Sequence, residues 1–193
     1  MTASPRAQKR RAASQSPRPK TDRRDELAAL NRIGQLINRL AEPAEILELI
    51  FQAIGQVLDN RNLYIALYDP ATRFISFPIY TIHGERREIA GRELGDVGLT
   101  DYVIRQKTFL LIPRAMNATL KKMGVPGIGL DAKCFVAVPM QIGERVLGVI
   151  AVQDYERENV YTERHRALLT TIAAQAAIAM ENARLYTEER QRV

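Results

Sequence analysis

Residues able to do chemistry are few and scattered in this 193-residue chain. Cys134 is the single cysteine. A lone thiol can act as a nucleophile, but a thiol–disulfide cycle needs a second, resolving thiol. Cys134 also opens the apolar run "CFVAVPM", where a small buried residue is the plainer reading. Lys133 would ease ionisation of the thiol only from the same face, and strand alternation sets it on the opposite one. His83 and His165 stand alone, without the spacing of a metal-ligand set; His165 reads as a polar residue in the first turn of a helix. Asp154 and Glu156 follow a strand and could hold a cation, although a solvated loop is the plainer reading. "GVPGIGL" supplies glycines but lacks the P-loop lysine and the strand–turn–helix context. The residues therefore predict no catalytic group, no metal site and no enzyme.

The formal charge of +6 first suggests a nucleic-acid binder. Residues 1–24 hold eight Lys/Arg and one acid, Asp22, so the excess belongs to a tail and the rest of the chain is nearly neutral. The tail "MTASPRAQKRRAASQSPRPK" has almost no large apolar residue and cannot offset its ordering entropy, so residues 1–21 are expected to be disordered. A basic arm on nucleic acid or an anionic membrane is the alternative. No aromatic residues interleave with the charges, which argues against nucleic acid. No apolar segment follows the charges as in a secretory signal, and no stretch approaches the ~18 apolar residues of a membrane span. A reducing cytoplasm suits a chain with one thiol.

Periodicity indicates the elements that must position these residues. Leu27, Leu30, Ile33, Ile37 and Leu40 form one stripe of an amphipathic helix. Pro43 suits the first turn of a second helix carrying Ile46, Leu47, Ile50, Phe51, Ile54 and Leu58. "NLYIALYDPATRFISFPIY" predicts two antiparallel strands, the first apolar on both faces, joined at Asp69-Pro70. "HGERREIAG" is a polar connection or an edge strand. "GLTDYVIRQKTFLLIP" predicts a short helix capped by Thr100, with Leu99 and Ile104 as a hydrophobic staple, then a strand over residues 109–112. A helical turn and a glycine-rich loop follow. Gly143-Glu144 fits a two-residue II′ turn between two strands. The order of elements indicates an α+β domain, one antiparallel sheet with helices around it.

The last helix, "TERHRALLTTIAAQAAIAMENARLYTEER", has no Gly or Pro and takes Thr162 as its N-cap. Its apolar residues cover most of the circumference, which implies burial on more than one side. Leu169, Ile172, Ala176, Ala179, Ala183 and Tyr186 follow 3–4 spacing and are expected to meet a partner helix. Leu27, Leu30 and Ile37 would join that interface in a four-helix arrangement of two chains. The first helix of the same chain is the other possible cover.

Taken together these residues resemble the GAF domain of bacterial signalling proteins, over roughly residues 25–188. "CFVAVPMQIGERVLGVIAVQDYE" is similar to that family's strand–turn–strand signature, through Cys134, Val138-Pro139-Met140, Gly143 and Gly148. "VYTERHRALLTTIAAQAAIAMENARLY" is similar to its closing helix, and "GLTDYVIRQKTFLLIP" to the helix–strand step before its variable loop. His165 stands where Asp is common and Cys134 where Ser is common. The asparagine–lysine motif of the cyclic-nucleotide-binding subset is not found. Cys134 is followed by Phe135, not by the histidine of the bilin-binding subset. The resemblance implies a GAF-like fold, with a central antiparallel sheet, helices on both sides and a long C-terminal helix. It implies a ligand-sized cavity on one sheet face, with Tyr80, Tyr102, Phe109, Met116, Cys134 and Val136 as lining candidates and Asp101 and Arg114 as polar contacts.

The expectation is a sensor domain over residues 22–188 with N- and C-terminal dimerisation helices, and residues 189–193 ending a signalling helix. Such a homodimer would relay the state of an unidentified small-molecule ligand to an effector domain or protein, for example a histidine kinase. No cofactor is assigned. The alternatives are a free methionine sulfoxide reductase, which in this family uses several cysteines, and a purely structural dimeriser with a filled core.

Overall fold

The computed structural model describes residues 42–96, 98–126 and 131–191. The expected tail and first helix, with Leu27, Leu30 and Ile37, lie outside the described residues.

Pro43–Val57 forms α1, with proline in its first turn, where a missing N–H costs no helical bond. Ile46, Leu47, Ile50, Ala53 and Ile54 make its buried stripe. Strands β1 (Leu63–Asp69) and β2 (Phe74–Ile82) pair antiparallel as the Asp69-Pro70 signal requires. The "HGERREIAG" stretch becomes two short edge strands, β3 (Glu85–Arg86) and β4 (Ile89–Glu93), both paired with β2. Helix α2 (Leu99–Gln106), β5 (Leu110–Ile112) and helix α3 (Met116–Met123) follow. The hairpin β6 (Cys134–Ile142) and β7 (Arg145–Asp154) turns at Gly143, whose φ of 55° suits glycine. Helix α4 (Glu163–Gln191) is 29 residues long, about 43 Å at 1.5 Å per residue, and runs unbroken through residue 188.

The seven-stranded antiparallel sheet has the order β3-β2-β1-β7-β6-β5, with β4 beside β2. Closing β1 against β7 brings Leu67 opposite Gly148. A Cβ at Gly148 would stand 2.1 Å from the Ala66 carbonyl oxygen, so only glycine fits there.

Both sheet faces are buried, which explains why the strands are apolar on both faces. Leu63, Ile65, Cys134, Val136, Val138, Met140, Ile150 and Val152 face α1 and α4. Tyr64, Ala66, Phe135, Ala137, Val149 and Ala151 face the side of α2 and α3.

Three expectations change. Thr100 does not cap α2: Gly98 is its N-cap, and the Thr100 hydroxyl pairs with that of Tyr64 at 2.9 Å. The helix starts at Leu99, so Leu99 and Ile104 are not a staple about Thr100. Leu169, Ile172, Ala176 and Ala179 do not face outward to a partner: they are at most 2% exposed and pack with α1 and the sheet of their own chain. A 3–4 spacing marks a stripe without saying what covers it, and these alanines let α4 sit close on β6. Ala183 and Tyr186 continue the stripe half-buried. On the opposite side, Ala167, Thr171, Ala174, Ile178 and Leu185 are exposed, the last two by 44% and 50%.

Candidate functional site

The two sheet faces differ in chemistry. Toward α1 and α4 the buried set is aliphatic, apart from Cys134 and Tyr161. Toward α2 and α3 it carries aromatic rings and polar groups. Tyr64 and Tyr80 are cross-strand partners whose rings stack at 5.3 Å, 8° apart. Phe77 meets both edge-on at 5.9 and 6.1 Å. Burial pushes the Tyr64 hydroxyl well above the usual tyrosine range, against the pull of its hydrogen bond to Thr100. Tyr155 shifts the same way, again chiefly through burial. Its hydroxyl accepts a bond from Gln153 Nε2 at 2.7 Å. These phenols are neutral at physiological pH and present hydrogen-bonding tips on apolar bodies.

At the start of α2 the Asp101 carboxylate is 1% exposed. Arg92 of β4 grips it with both terminal nitrogens, one at 2.7 Å from Oδ1, and the Gly95 N–H adds a bond of 2.7 Å. The hydrogen bond to Asp101 holds the Arg92 proton more tightly, although burial opposes it. The Arg92 side chain stays 30% exposed, so a charged fork lies between the covered sheet face and solvent. Its terminal nitrogens are taken by Asp101, and Nη1 also donates to the Glu93 carbonyl oxygen at 3.2 Å, so the pair fixes polar groups at the edge of this face.

The structure divides the expected lining residues. Tyr80 and Met116 share the α2/α3 face, and Asp101 lies at the start of α2. Tyr102 is half-buried and Arg114 is exposed. Cys134 and Val136 do not join Tyr80 and Met116: β6 alternation sends them, with Val138 and Met140, toward α4, while Phe135 and Ala137 take the other face. Phe109 is 43% exposed and lies under the Arg166 guanidinium of α4, at 4.1 Å. Tyr64, Phe77, Arg92, Tyr155 and Gln153 were not among the candidates. Tyr64 was legible from its parity with Ala66; Arg92 carries no spacing signal toward Asp101.

The other candidate groups serve local structure. Burial raises the Cys134 thiol pKa and keeps it protonated. Asp154 is held below the usual carboxylate range although burial works against it. The Arg157 guanidinium and the N–H groups of Glu156 and Arg157 do the holding. Its oxygens are thus engaged by its own turn. Thr162 immediately precedes α4, and His165 Nδ1 accepts the Thr162 N–H at 3.1 Å. Among the described residues no group of three or more His, Cys, Asp or Glu could hold a metal ion. An apolar groove of about 360 Å³ runs between Leu67, Leu147 and Met180 beside Pro43, on the α4 side of the sheet.

An antiparallel sheet, a long helix on one face and a short helical cover over aromatic residues on the other define a small α+β domain. Residues 41–181 match the GAF domain family, and the chain belongs to it. Solved structures share the fold. The GAF domain from Acinetobacter phosphoenolpyruvate-protein phosphotransferase is 19% identical, with a TM-score of 0.66 over 84% of this chain and 97% of that one. A methyl-accepting chemotaxis protein, residues 122 to 287, is 20% identical, with a TM-score of 0.66 over 82% and 98%. The free methionine-R-sulfoxide reductase from Neisseria meningitidis, in complex with its substrate, is 12% identical, with a TM-score of 0.65 over 91% and 98%. No curated protein sequence matches this chain. GAF domains are a sensory and regulatory fold of signalling proteins. No helix among the described residues is long and apolar enough to cross a membrane.

Proposed function

We propose that this chain is a regulatory input module that binds a small, anionic or polar aromatic molecule on the α2/α3 face and signals through α4. One observation carries the reading: the same central strands, β6 and β7, pack under α2 on one side, beside the aromatic residues of β1 and β2, and against the long helix on the other. A ligand that changes the cover of one face alters the support of the other, and the signal is the difference in its affinity for the two arrangements.

The partner in this reading is a second copy. Ala167, Thr171, Ala174, Ile178 and Leu185 repeat at near-heptad spacing on the exposed side of α4. A two-fold pairing sets such a stripe against itself. Residues 22–40, with Leu27, Leu30 and Ile37, would complete a four-helix contact. The output is a histidine-kinase-like effector of a two-component system in a bacterial cytoplasm. A non-catalytic role suits a single cysteine that is buried and protonated.

Thermal-shift and calorimetric titration with nucleotides, amino acids and aromatic carboxylates test the binding. Saturable sub-millimolar binding, weakened at least tenfold by Asp101→Asn, is expected. A chain that binds none of them and stays dimeric is a structural dimeriser. Thiol-dependent turnover of free methionine sulfoxide would make it an enzyme. Sedimentation tests the pairing: Ile178→Asp with Leu185→Asp should give monomers.

A further inference from the structure

The segment that leads from the sheet into α4 is fastened to the segment that leads into α3. Two hydrogen bonds cross between them. The Ala115 N–H donates to Glu158 Oε1 at 3.0 Å, and the Asn159 N–H donates to the Pro113 carbonyl oxygen at 2.6 Å. Each bond therefore runs from one segment to the other in the opposite sense, and together they form a clasp.

Both donors sit in unusual backbone. Ala115 has φ 51° and ψ 44°, and Asn159 has φ 57°. Left-handed conformation is uncommon outside glycine and is unfavourable for alanine, so it persists only where surrounding contacts hold it. Those contacts are visible on both sides. Asp154 braces the α4 segment by accepting the N–H groups of Glu156 and Arg157 at 2.9 and 2.8 Å. Beyond the clasp Tyr161 is 3% exposed and donates to the Gln153 carbonyl oxygen at 3.1 Å. On the other side Ala115 caps α3, accepting the Thr119 N–H at 3.0 Å, and the next residue, Met116, is buried in the cluster on the aromatic face. The clasp thus lies one residue from the buried anchor of α3 and four residues from the start of α4.

The Glu158 bond is exposed to solvent, so its opening leaves no polar group buried and unpaired. When it opens, the left-handed backbone at Ala115 loses part of what holds it, and the Asn159–Pro113 bond is left as the remaining hydrogen bond of the clasp.

We propose that this clasp is the device through which displacement of α3 from the sheet reaches the first turns of α4. It deepens the regulatory reading by naming the regulation, yet the coupling itself can be measured without any ligand, so the two can fail separately. Amide hydrogen exchange on the full chain tests it, with Met116→Ala, Glu158→Ala and the double variant. Met116→Ala loosens α3 at its anchor. With the clasp intact, that change should also speed exchange over residues 166–172 by about tenfold, the scale of one charged hydrogen bond. With Glu158→Ala present, which leaves the Asn159–Pro113 bond alone, the added effect of Met116→Ala on residues 166–172 should fall markedly, while its effect on residues 119–123 remains. Equal acceleration of α4 with and without Glu158, or none in either background, overturns the proposal. If Met116→Ala does not fold, Leu120→Ala, half-buried on the same face of α3, replaces it with the same expectations.

Discussion

The two faces of one sheet have been put to different uses. Toward α4, Leu169, Ile172 and the alanines at 173, 176 and 177 meet Val136, Val138, Met140 and Ile150 with scarcely a polar atom among them. Toward α2 and α3, Tyr64 and Tyr80 stack, Thr100 meets the Tyr64 hydroxyl, and Arg92 clamps Asp101. An all-aliphatic face gains by area and shape. A face with placed hydroxyls and a charged fork gives up some of that gain in exchange for the ability to distinguish one molecule from another. The stabilising face and the recognising face share β1, β6 and β7, whose alternate residues serve one use and the other.

The largest expected effect is on the α4 face. Leu169 is fully buried against the sheet, and Leu169→Ala should cost about 2–5 kcal/mol. Urea denaturation reads this as a large fall in midpoint. The loss should come with little change in any ligand affinity measured on the folded protein. A variant that kept its stability but lost binding would invert the assignment of the two faces.

Next comes the recognising face. Asp101→Asn removes the carboxylate that neutralises a part-buried Arg92. Because that arginine keeps access to water, the cost should stay below that of a fully buried broken pair, at about 1–3 kcal/mol. Exchange should rise over residues 92–95 and in the first turn of α2, not over α4. A uniform rise across the sheet would show that the pair supports the whole domain rather than one face.

The reasons for what was and was not legible in the sequence follow the same division. Strand alternation revealed that β1 and β6 are apolar on both sides, since a period of two is a local property. Which parity meets which helix is decided by long-range packing, and Cys134 and Val136 fell on the side opposite to the one expected for that reason. The 3–4 stripe of α4 was plain, but its cover was a tertiary fact: the chain's own strands took it. Arg92 and Asp101 meet because β4 and α2 converge around Gly95, a contact no periodic pattern encodes. Thr100 looked like a cap by residue type, and Tyr64, distant in sequence, claimed its hydroxyl instead. What was readable was set by neighbours along the chain, and what was not was set by neighbours in space.

The smallest effect tests a charged tie between α4 and the hairpin of the sheet. Glu181 accepts from Arg184 within α4 and from Arg145 at the start of β7, and these partners, the Arg184 bond first, hold its carboxyl at about 2 against an ordinary 4.5. A depressed carboxyl favours the folded state fully above about pH 4.5, and the benefit is lost as pH falls from there toward 2. The pair lies near the surface, so its contribution should be under about 1 kcal/mol. Urea midpoints of the parent and Glu181→Gln should differ at pH 7, and the difference should narrow from about pH 4.5 and close only below about pH 2. Arg145→Gln separates the sheet-to-helix tie from the intrahelical one. If the tie anchors α4, this variant removes part of the pH-dependent difference and raises exchange in residues 178–185. If Arg184→Gln alone accounts for the difference, Glu181 merely stiffens its own helix, and α4 is held to the sheet by apolar contact only.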